Sequence, residues 1–105
     1  MRLSPRDPEI GYWHMQLGAA ELSLMHFDAD IEEQQKAINA GYRTYLPYAQ
    51  LAAAYALGGK NEETKSALAE ARQLNPKLTV KWAIAHMPNV AMLFEGLRKA
   101  GLPEE

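Results

Sequence analysis

The sequence predicts an all-α fold, a right-handed superhelix of antiparallel helix hairpins with two hairpin units followed by C-terminal capping helices. Three observations carry this expectation. Gln16-Leu17-Gly18-Ala19-Ala20 returns 34 residues later as Gln50-Leu51-Ala52-Ala53-Ala54, and Ala37 returns as Ala71. Self-similarity at that period marks stacked helical hairpins, each burying its apolar face only against its neighbours. Apolar residues recur at helical spacing within each half of the repeat, and turn signals fall where the periodic stretches stop.

Residues 9–42 form the first expected unit. Asp7-Pro8-Glu9 supplies a capping carboxylate, a proline at the first helical position and an acid in the first turn. Ile10, Trp13, Leu17, Ala20 and Leu24 then make one apolar stripe, and the helix is expected to end near Met25. Asp28 is the expected cap of a second helix with Ile31, Gln34, Ala37 and Ile38 inward, stopping before Gly41, which suits a left-handed turn. Residues 43–78 repeat the plan. A helix opens at Tyr45-Leu46-Pro47 and runs to Gly58-Gly59; Asn61 caps the next, supported by Glu62 and Glu63, with Ala67, Leu68, Ala71 and Leu74 inward and Asn75-Pro76 closing it.

Residues 79–105 break the period. Trp82 falls where Tyr48 predicts an aromatic, after Thr79 as a cap, but Pro88 lacks the amide donor that a helix interior requires. The expectation is a short helix over residues 80–86 and a new one over 89–100, its stripe being Val90, Leu93, Phe94, Leu97 and Ala100, ended by Gly101-Leu102-Pro103. These helices read as a terminal cap. At the other end, Leu3-Ser4-Pro5 echoes Leu74-Asn75-Pro76, so residues 1–8 read as the close of a preceding repeat or a linker, and the chain as the C-terminal piece of a longer one.

Composition narrows the function. The 105 residues are 48% hydrophobic and 23% charged with a formal net charge of -2, a balance that suits one modest domain and works against binding to phosphate backbones. No nucleic-acid partner is expected. There is no cysteine, hence no disulfide framework or thiolate metal site. The start has no signal-peptide core and no apolar run approaches the roughly 18 residues of a membrane span, so a cytoplasmic protein with no membrane partner is expected.

Chemical constellations read as structure. His14, His26 and His86 have no ligand spacing on one helical face, and Glu32 and Glu33 splay around their helix. Ser4, Ser23 and Ser66 lack a glycine-framed elbow, and Gly58-Gly59-Lys60 lacks the spacing and preceding strand of a phosphate loop. No catalysis, metal or cofactor is expected.

Leu17-Gly18, Phe27-Asp28, Ala37, Tyr48, Leu51-Ala52, Tyr55, Gly59, Ala71 and Pro76 together resemble the tetratricopeptide repeat, over residues 9 to 76. The first unit departs from that pattern at His14, Glu21, Met25 and Asp30. Arg2-Leu3-Ser4-Pro5-Arg6-Asp7-Pro8, followed by the repeats and then Leu74-Asn75-Pro76, Val80-Lys81-Trp82 and Glu95-Gly96-Leu97-Arg98-Lys99-Ala100-Gly101-Leu102-Pro103, is similar to the C-terminal repeat region of bacterial class III adenylate or guanylate cyclases. That resemblance implies a regulatory or scaffold part of a bacterial signalling protein. The repeat resemblance implies that the first helix of each hairpin lines a concave groove, made here by Tyr12, Met15, Gln16, Ala19 and Leu22, then Leu46, Ala49, Gln50, Ala53 and Leu57. Such a groove is apolar with two glutamines. It lacks the lysine, asparagine and arginine that capture a chaperone's C-terminal carboxylate, so an apolar helix or extended peptide is the expected partner. Two alternatives stand beside it: the chain's own last helix fills the groove, and the domain self-associates as a homodimer.

Overall fold

The computed structural model describes residues 8–42, 44–87 and 90–105. The chain is all-helical there: α1 (Pro8–Ser23), α2 (Phe27–Asn39), α3 (Tyr45–Leu57), α4 (Asn61–Leu74), α5 (Val80–His86) and α6 (Ala91–Lys99), with no strand among the described residues. The expected roles of Leu3-Ser4-Pro5, Asp7, Pro88 and Asn89 lie outside them.

Helix pairs α1/α2 and α3/α4 pack as two hairpins, and α2 packs on α3 to join them. Four helices end the same way. After α1, α2, α3 and α6, paired backbone bonds close the last turn, as in His26 N–H to the Glu21 carbonyl at 2.9 Å and Lys60 N–H to the Tyr55 carbonyl at 2.9 Å. The residue at the bend takes a left-handed conformation, supplied by Gly41, Gly59 and Gly101 and, after α1, by Met25 at φ 62°. Met25 stands 34 positions before Gly59, so the repeat's turn geometry persists where its glycine does not.

Helix starts differ from expectation in two places. Asp28 and Asn61 lie inside α2 and α4, whose N-cap positions are His26 and Lys60 with no side-chain cap bond. Asp28 therefore acts as a first-turn acid against the helix dipole, as Glu62 and Glu63 do in α4. Thr44 and Thr79 do cap, accepting from the Leu46 and Trp82 amides at 3.2 and 3.0 Å.

The packing face of α1 differs more. The stripe of Trp13, Leu17, Ala20 and Leu24 faces solvent, and the buried side is Gly11, Met15, Gly18, Ala19 and Leu22. Helix α1 is apolar on both sides, so helical periodicity alone does not say which is inward. Leu74, expected in the core, is also exposed at the end of α4.

Helix α3 holds the centre. Ala49, Ala52, Ala53, Ala54 and Ala56 are all buried, and α1, α2, α4 and α6 pack around them. Helix α6 crosses α3 so closely that a Cβ on Gly96 would stand 2.6 Å from the Ala53 Cβ and 2.7 Å from its Cα and carbonyl oxygen. Leu93, Phe94 and Leu97 are buried in one cluster with Leu22, Ala49 and Ala53. The short α5 is tied down at its start by the chain's end, with the Val80 and Lys81 amides donating to the Pro103 and Glu104 carbonyls at 2.9 Å each. Trp82 of α5 meets Tyr45 edge-on at 5.2 Å.

Left-handed backbone costs a residue with a Cβ roughly 1–2 kcal/mol, and glycine escapes this at a smaller entropic cost. Met25→Gly is therefore expected to stabilise the fold by about 0.5–1 kcal/mol in urea unfolding. An unchanged or lowered midpoint would show that the exposed Met25 side chain contributes more than its backbone strain costs.

Candidate functional site

Ten residues were expected to line a groove on α1 and α3, and most of them are covered. Met15, Ala19, Leu22, Ala49, Gln50 and Ala53 are buried, Leu46 and Leu57 are partly buried against the main apolar cluster, and only Tyr12 and Gln16 are exposed. The cover over Ala53 is α6, through Gly96. Leu22 and Ala49 share the apolar cluster of Leu93, Phe94 and Leu97 with Ala53.

Gln50 and Met15 belong instead to a buried polar knot between the hairpins. The Gln34 amide nitrogen lies 2.8 Å from Gln50 Oε1, 3.0 Å from Asp30 Oδ1 and 3.1 Å from the Met15 carbonyl. Gln50 Nε2 in turn reaches Met15 Sδ at 3.0 Å. Gln34 has two amide hydrogens for three acceptors, and both Asp30 Oδ2 and Gln34 Oε1 are buried without a hydrogen-bond partner. Room for this knot comes from Gly18, where a Cβ would run into Gln34 Nε2 and Asp30 Oδ1. Burial pushes the Asp30 carboxyl up to about 7, the Gln34 hydrogen bond offsetting part of this and the charge of Glu21 adding to it. No cation pairs with Asp30 among the described residues, and its protonated form is favoured over that of an exposed aspartate.

A second link between α1 and α2 is the hydrogen bond between His14 Nδ1 and Glu33 Oε2 at 2.6 Å. Partial burial pushes Glu33 up, yet hydrogen bonds from His14 and Lys36 outweigh it and hold the carboxyl below its usual range. His14 thus acts as a polar tie rather than the packing aromatic its position suggests. His26 pairs with Glu21 at 2.8 Å, His86 stacks on Trp82 at 4.2 Å, and the Ser23 hydroxyl donates to the Ala20 carbonyl at 2.7 Å. No cluster of three metal-ligating side chains occurs among the described residues, and none of their helices is long and apolar enough to cross a membrane.

The outer face of α1 is open. Trp13 is 61% exposed, Leu17 38% and Leu24 63%, with Ala20 and Gln16 between them. Aromatic and aliphatic side chains aligned at helical spacing on one exposed face mark an interaction surface more strongly than scattered apolar residues do. Sequence reading marked these residues as apolar and periodic but assigned them to the interior. Comparison of the chain with family models, curated proteins and solved structures finds no match.

Asp30 sets a pH dependence. The unfolded carboxyl titrates near 3.8 and the folded one near 7, so between these values the folded state binds more protons and stability falls as pH rises. The loss from pH 4 to 8 is expected to be about 4 kcal/mol at most, and Asp30→Asn should flatten it and be the more stable protein at pH 8. Urea unfolding at a series of pH values tests this. A wild-type stability that does not fall between pH 4 and 8 would mean that Asp30 is ionised in the fold.

Proposed function

We propose that this chain is a non-catalytic protein-interaction module of the tetratricopeptide type, which binds through the outer face of α1 while its own last helix occupies the groove side. The exposed Trp13–Leu17–Leu24 stripe carries the reading, because a domain of this size gains nothing in stability from leaving an aligned apolar stripe in water. Support for the repeat type comes from the two hairpins in 34-residue register and the matching turns at Met25 and Gly59. The wider setting, a regulatory or scaffold part of a bacterial signalling protein, rests on the tail resemblance alone.

Self-association is the second reading, favoured by the packing of Gly96 on Ala53, which fills the groove side from within and leaves α1 as the apolar face available to a second copy. A photo-crosslinking amino acid placed at position 13 in cells should capture a discrete partner protein, while the same group at Lys65, on the polar outer side of α4, should not. Absence of any product from position 13 would overturn the reading. A product of twice the chain's own mass would favour self-association.

A further inference from the structure

The internal repeat indicates what covers α1. Trp13, Gln16, Leu17 and Ala20 stand 34 positions before Pro47, Gln50, Leu51 and Ala54, and all four of the later residues are buried. Part of that burial comes from α2, which seats on α3. Gln34 of α2 donates to Gln50 at 2.8 Å, Gln35 donates to the Tyr55 hydroxyl at 3.2 Å, and Ile31 and Ile38 pack with Leu51 and Ala52. The same face on α1, glutamine included, is open. Among the described residues Gln16 makes a local bond there, donating to the Tyr12 hydroxyl at 2.7 Å.

We infer that the outer face of α1 docks an amphipathic helix of the α2 kind, supplied from outside these 105 residues, with an aliphatic–glutamine–aliphatic stripe spaced as in Ile31, Gln34 and Ile38. Its aliphatic residues cover Leu17 and Trp13, and its glutamine pairs with Gln16 as Gln34 pairs with Gln50. This rests on the interaction reading and adds the chemistry of the partner. A second copy stacked head to tail is a poor occupant. The α2 stripe is already spent on α3, and the matching positions of α4 are Lys65, Leu68, Ala69 and Arg72, which set two cations where the seat takes aliphatics. Trp13, Gln16, Leu17 and Ala20 offer no carboxylate to meet them.

The probe is a peptide of residues 27–40 with a lactam joining Glu32 to Lys36, the exposed i,i+4 pair of α2, because an isolated helix of this length is marginal in water. Titrated into the full chain and followed by NMR, it should saturate with shifts centred on the Trp13 indole and the Gln16 amide. Leu17→Glu, an exposed change whose fold is checked by circular dichroism, should weaken binding by about tenfold or more. The Gln34→Ala and Ile38→Asp peptides should also bind more weakly, which keeps the test independent of any protein variant. Shifts centred on Ala53 and Gly96, a dimer that Leu17→Glu dissolves, or no saturation would each overturn the inference. If position 13 still cross-links a partner in cells when the peptide does not bind, the interaction reading stands and the helix chemistry falls.

Discussion

Five alanines of helix α3 present only methyl groups to the helices packed around them, and the architecture depends on that. Ala49, Ala52, Ala53, Ala54 and Ala56 let α1, α2, α4 and α6 approach one short helix from several sides. Larger residues there would push the axes apart toward ordinary packing distances and open voids between the hairpins. Alanine also has the highest helix propensity, so the central element is favoured locally as well as by its contacts. The glycine in α6 completes the arrangement. Without it, Leu93, Phe94 and Leu97 could not reach the cluster that holds Leu22 and Ala53.

Close packing of this kind leaves little room for error in polar groups, and the first hairpin carries a fault line. Asp30 takes the position that Thr64 takes in the second hairpin, where the hydroxyl donates harmlessly to the Lys60 carbonyl at 2.7 Å. A carboxyl in that place needs Gly18 for space and Gln34 for a hydrogen bond, and burial raises its proton affinity. The same hairpin holds Met25 in a left-handed turn. Both features lie in the unit whose outer face is open, so the less settled half of the molecule is also the half that offers a surface.

Much of the fold was legible because it rests on local chemistry. Thr79, Gly41, Gly59 and Gly101 mark helix ends through capping and left-handed turns, and the 34-residue echo sets the hairpins in register. The inward face of α1 was not legible. Trp13, Leu17 and Leu24 are as apolar and as periodic as Met15, Ala19 and Leu22, and the inward face is the one that carries Gly18, where a Cβ would run into Gln34 and Asp30. The groove side is hard to read for a related reason: α3 is apolar on nearly every side, so its sequence does not separate a side that binds a peptide from one that buries a neighbouring helix. A cue was present in Gly96, a glycine inside a helical stretch, which signals close backbone approach.

The most direct test is Gly96→Ala. On an open helix this change removes the entropic penalty of glycine and stabilises by about 0.8–1 kcal/mol. Pressed against the Ala53 backbone, the added methyl has no flexible neighbour to displace, so urea unfolding should report a net loss of about 1–3 kcal/mol. A gain in stability would contradict the seating of α6 on α3, and with it the view that the groove side is closed and α1 is the working face.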